Sequence, residues 1–143
     1  MTGSTYSFAK NTTVDTGKSQ MQIEKLVKSE GASQFFRGDI GGKTVIGFSM
    51  KDRKIMFELP DVEGGRGSDQ RERTRWRALL LAIKAKFVSV NAGVESFEEA
   101  FLPHIVVPTN DGKSTRFAAV ALRAIAQSYG SGAPMTLPQL GSG

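Results

Sequence analysis

The sequence predicts an α+β domain: a short N-terminal helix, a three-stranded antiparallel meander, a long central helix and shorter C-terminal helices. Three observations carry this reading. Around Ile55, Phe57 and Leu59, apolar residues alternate with polar ones, as in a half-buried strand. From Trp76 to Val90 the spacing switches to that of an amphipathic helix. Ser96 followed by Glu99 is a capping-box signature for one more helix start.

The elements follow in order. Residues 1–17 are polar and rich in Thr, Ser and Gly, and read as a flexible arm. Ser19, with Gln22 three residues on, opens a helix whose apolar face is Ile23, Leu26 and Val27; Gly31 ends it. Gln34–Arg37, Thr44–Met50 and the Ile55–Leu59 run are strands, separated by turns at Asp39–Gly42 and Lys51–Arg53. Links this short cannot hold a parallel crossover, so the strands are antiparallel. After a Gly-rich loop, Asp69 reads as the N-cap of the long helix, with Glu72 at its third position. Trp76, Leu79, Leu80, Ile83, Phe87 and Val90 form one stripe of that helix, with Trp76 as a core anchor. A short helix follows to Pro103, then an extended Ile105–Val107 segment and an Asn-Asp-Gly turn. Ser114 or Thr115 is expected to cap a last helix whose apolar face is Phe117, Val120, Ala121, Ala124 and Ile125. Residues 18–129 thus form the single domain, and the Gly/Pro-rich residues 130–143 an extended tail.

Composition excludes several chemistries. With no cysteine among 143 residues, disulfides, thiolate metal sites and cysteine nucleophiles are absent. One histidine, His104, leaves little for a Ser-His-Asp machine or a histidine metal site, so no metal and no cofactor is expected. No stretch approaches the length and apolarity of a membrane span, and the first residues lack an apolar signal core. The expected setting is the cytoplasm, without a membrane partner. Glu95, Glu98 and Glu99 are the densest acid cluster, but carboxylates are favourable at a helix start in any case. The segment from Ile105 to Thr115 resembles a P-loop only in Gly112-Lys113-Ser114. Val107 stands where the first glycine belongs, so no phosphate cradle is expected. No catalytic residue is assigned.

Charge is the most informative feature. The net charge is +5. Between residues 71 and 90 lie Arg71, Arg73, Arg75, Arg77, Lys84 and Lys86 against one acid, Glu72; the other 13 basic and 13 acidic residues cancel. On a helical projection from Trp76, Arg73, Arg77 and Lys84 fall about 60–100° to one side, and Arg71, Arg75 and Lys86 on the other. Arginine at a helix N-terminus opposes the helix dipole by a few tenths of a kcal/mol. Phosphate recognition by planar guanidinium forks accounts for four of them there, and pairing with nearby acids is the competing explanation. These six residues are the expected nucleic-acid contacts. Phe35, Phe36 and Phe48 on the meander are the candidate stacking residues, Phe35 and Phe36 foremost, because adjacent strand residues face opposite ways and one of them is expected to be uncovered.

The stretch TRWRALLLAIKAKFVSVNAGVESFEEAFLPHIVVP resembles small proteins encoded in phage and some bacterial genomes, for which no activity is assigned. The likeness covers residues 19 to about 110; the turn after Val107 and the last helix depart from it. It implies a phage or prophage context and places Arg75, Trp76, Arg77, Lys84 and Lys86 inside the shared motif. From the confinement of the charge excess to Arg71–Lys86, the expected function is a small, non-enzymatic nucleic-acid-binding protein serving phage replication, recombination or packaging. The alternative is a protein–protein interaction module that inhibits or adapts a host or phage protein, or assembles with copies of itself.

Overall fold

The computed structural model describes residues 2–60 and 64–137, with side chains from residue 16 onward. The first residues of the Gly-rich loop, 61–63, the end of the expected tail, 138–143, and the side chains of most of the expected arm lie outside that range. The order is helix α1 (Thr2–Ser29), strands β1 (Gln34–Ile40), β2 (Lys43–Met50) and β3 (Arg53–Pro60), then helix α2 (Ser68–Asn91). Helix α3 (Phe97–Phe101) runs into a 3-10 turn at Leu102–His104, followed by strands β4 (Val106–Pro108) and β5 (Ser114–Arg116) and helix α4 (Phe117–Ser131).

The α+β fold and the meander are as expected. β1 pairs with β2 and β2 with β3, both antiparallel. Each hairpin closes in two residues. Gly41 and Gly42 sit at φ 54° and 77°, and Lys51 and Asp52 at φ 52° and 60°. Two successive left-handed residues match the twist of the flanking strands.

One face of this sheet carries Ile46, Phe48, Ile55 and Phe57, buried against α1, α2 and α3. α1 contributes Ile23 and Val27, α2 contributes Trp76, Leu79, Ile83 and Phe87, and α3 contributes Phe97 and Phe101. Phe101 is the hub: its ring meets Phe48 and Phe57 edge-on and tilts against Phe87 and Phe97. Ring edges against faces give these contacts quadrupolar attraction beyond their buried area.

Four local expectations change. Helix α1 begins at Thr2 rather than Ser19, so most of the segment read as an arm has helical backbone. No proline interrupts residues 2–29, and burial of Ile23 and Val27 anchors the helix at its C-terminal half. Helix α2 starts two residues earlier than expected: left-handed Gly67 is its N-cap, and Asp69 lies within the first turn without capping it. Ser114 and Thr115 do not cap α4. They pair with Val107 and Pro108 in a β4–β5 hairpin, and Arg116 takes the N-cap position. The helix also extends through Ser131, into the expected tail, and its Ile125 is 41% exposed where the buried face was expected. The Ser96–Glu99 capping box is present as expected, with both reciprocal hydrogen bonds formed.

Candidate nucleic-acid interface

The α2 stripe behaves as its spacing predicts: Trp76, Leu79, Ile83 and Phe87 are buried, with Leu80 and Val90 packed partly against the core. Trp76 is a core anchor, 3% exposed. The cations therefore divide into the two flanks that the projection separates, and the structure gives the flanks different surroundings.

On the flank away from α1, the cations are tied to the protein's own carbonyls. Arg71 donates to the Arg66 carbonyl at 3.0 Å, and Arg75 to the carbonyl of Pro60 at the end of β3. Lys86 donates to the Ala100 carbonyl at 2.9 Å, with its ammonium 5.9 Å from the Phe101 ring centre. The six expected contacts thus divide into three held by the protein's own backbone and three on the other flank. A side chain that satisfies a backbone carbonyl must give up that bond to reach a ligand.

On the other flank, Arg73, Arg77 and Lys84 border a furrow between α2 and α1. The two helices run side by side in the same direction: Lys18 and Ser19 face Arg73 and Thr74, Leu26 faces Leu80 and Lys84, and Asn91 donates to Glu30 at 3.0 Å. The upper part of the furrow is a pocket of about 460 Å³, where Lys18, Arg73 and Arg77 converge with the Ser19 and Thr74 hydroxyls. The lower part, about 330 Å³, is walled by Leu26, Leu80 and Leu81 between Arg77 and Lys84. Among the described residues, no carboxylate lines either part. Arg73 also donates to Gln70 at 2.7 Å, which orients its guanidinium at the furrow's edge. Lys18 escaped the sequence reading because it stands on a different helix. Its spacing with Gln22 and Leu26, four and eight residues on, was the signal that could have found it.

The aromatic candidates also separate, and Phe48 is no stacking surface because its ring is fully buried in the core. Phe35 packs partly against the core, so its ring is engaged. Phe36 projects from the opposite sheet face, 38% exposed, and its ring lies across Gly47 of β2. Neither is among the residues lining the furrow.

The acidic and histidine candidates serve the scaffold. Glu98 pairs with Arg53 at 3.2 Å, Glu95 accepts from Ser89 at 2.7 Å, and Glu99 closes the capping box, whose Ser96 hydrogen bonds lower its pKa. The His104 ring stacks on Phe57, 4.0 Å between centres. Its Nδ1 accepts from Arg116 Nη2 at 3.1 Å, since a guanidinium can only donate. Burial, then the Arg116 and Lys86 cations, push its pKa down to about 4. Arg116 further donates to Glu58 and to the Met56 carbonyl, which ties the β4–β5 hairpin to β3. In the loop resembling a P-loop, Asp111 accepts from Thr109 and from the Lys113 amide and closes the hairpin.

The chain matches no protein-family model, no curated protein and no solved structure. Among the described residues, no helix is long and apolar enough to cross a membrane, and no group of three potential metal ligands comes together.

Proposed function

We propose that this chain is a small, non-enzymatic nucleic-acid-binding protein that holds phosphates along the α1–α2 furrow. The observation that carries the reading is the convergence of Lys18, Arg73, Arg77 and Lys84 on one furrow that no carboxylate lines among the described residues. Guanidinium forks and ammonium groups match phosphate oxygens, and neighbouring hydroxyls and amides complete the hydrogen bonding. Such contacts position a backbone without reading its bases, so binding tolerates sequence and responds to salt. The phage context that the sequence resemblance implies extends this proposal to a role in phage replication, recombination or packaging in the host cytoplasm.

The test is fluorescence anisotropy of the full chain with labelled oligonucleotides across a salt series. If all four cations meet phosphates of a single strand, log K falls with log salt at a slope of about −3. That is roughly a fiftyfold loss of affinity between 50 and 200 mM salt. Absence of binding at 50 mM salt overturns the reading.

The protein–protein alternative has its own observation. Leu122, Ile125 and Tyr129 form an exposed apolar stripe on α4, with Tyr129 86% exposed. Leu122→Asp and Tyr129→Asp variants that lose a co-purifying protein, while nucleic-acid binding proves absent, would favour it.

A further inference from the structure

We infer that the furrow takes a single polynucleotide strand and discriminates against a duplex; this rests on the nucleic-acid reading above. Three features of the site lead there. First, its shape is concave and narrow. α1 and α2 pack directly, sharing Ile23, Val27, Trp76 and Ile83 in one core, and packed helix axes stand about 8–10 Å apart. A furrow on that scale admits one extended backbone, whereas a rigid duplex meets only its rims. Second, the cations run along the furrow. Arg73 to Arg77 is about 6 Å of helical rise, and Arg77 to Lys84 about 10 Å more. A line of charge suits a strand that can straighten along it. A broad cationic plateau would suit two phosphate rows, and the cations on the other flank of α2 are bound to carbonyls at Arg66, Pro60 and Ala100 instead. Third, the lower half of the furrow carries a leucine wall beside its polar groups. Leu26, Leu80 and Leu81 lie between Arg77 and Lys84, and Leu81 is 58% exposed. An unpaired base has an apolar face to lay on such a wall; a base inside a duplex does not offer it. The chemistry recognised is thus a phosphate row with a base face beside it, shared by single-stranded DNA and RNA.

The experiment measures the full chain against one labelled sequence in four forms: single-stranded DNA, single-stranded RNA, and the duplex of each, at 50 mM salt. The expected result is single-strand affinity at least tenfold above duplex affinity. The Leu81→Ser variant, altered at an exposed position, is expected to weaken single-strand binding severalfold while leaving its salt slope intact. Equal affinity for strand and duplex overturns this inference and leaves phosphate binding standing. A Leu81→Ser variant that binds single strands as the parent does removes the base contact and overturns it likewise. Failure to bind any form overturns the underlying reading instead.

Discussion

The tip of the Phe36 ring lies over Gly47 on the neighbouring strand, so close that a β-carbon built on Gly47 would come within 2.0 Å of the ring. The pair sits on the sheet face away from the core, where Phe36 and Gly47 are register partners. The glycine weakens its strand, and the aromatic ring covers the backbone it exposes. Gly47→Ala should therefore push the ring into solvent and cost about 1 kcal/mol, the burial of half an aromatic side chain. In a Phe36→Ala background the same change should be neutral or stabilising, since alanine is the better strand residue. A double-mutant cycle by urea unfolding measures the change of sign.

His104 makes stability depend on acid. Its pKa is about 4 in the folded protein against 6.5 in an unstructured chain, so the unfolded state binds the proton first. The contribution of neutral His104 is complete above pH 6.5 and is lost as the pH falls from there towards 4. The half-exposed ring keeps the effect modest. A His104→Phe variant keeps the stacking on Phe57 and should show a flatter stability profile across this window. Because the chain has one histidine, a single imidazole proton resonance reports the pKa directly; a midpoint near 6.5 would contradict the account.

The β2–β3 turn places two side-chain-bearing residues, Lys51 and Asp52, in the left-handed region. Asn-Gly is the preferred pair for this turn. The double change Lys51→Asn, Asp52→Gly should raise stability by about 0.5–1 kcal/mol in thermal or urea unfolding.

The Ser96 hydroxyl accepts from the Glu99 amide at 3.1 Å, and the Ser96 amide donates to the Glu99 carboxylate at 2.9 Å. Ser96→Ala should cost about 1 kcal/mol. The helix it caps carries Phe97 and Phe101 into the core, so the loss should appear in global unfolding.

The parts legible in the sequence were those governed by neighbours along the chain. Alternation at Ile55, Phe57 and Leu59, the glycine pair at 41–42 and the Ser96–Glu99 spacing each specify local geometry, and each is found. What depended on pairing across the chain was missed. Ser114 and Thr115 look like helix caps because hydroxyls suit that position, yet Val106–Pro108 and Ser114–Arg116 flank an Asn-Asp-Gly turn, which is also a hairpin signature. The cations were legible as a cluster and even as two flanks. Which flank met carbonyls and which bordered a furrow depended on where β3, α3 and α1 packed. Lys18 joined the site only through α1.

The central claim is that the furrow flank of α2 holds phosphate and the opposite flank does not. Its most direct measurement compares two variants by anisotropy on a single-stranded oligonucleotide over 50–200 mM salt, with melting temperatures taken alongside. Arg73→Ala, Arg77→Ala and Lys84→Ala together should abolish detectable binding or flatten the salt slope to about −0.7, the share of Lys18 alone. Arg71→Ala with Arg75→Ala should leave affinity and slope close to those of the parent, at the cost of a lower melting temperature. Strong binding by the furrow variant, or loss of binding by a folded Arg71/Arg75 variant, would contradict the claim.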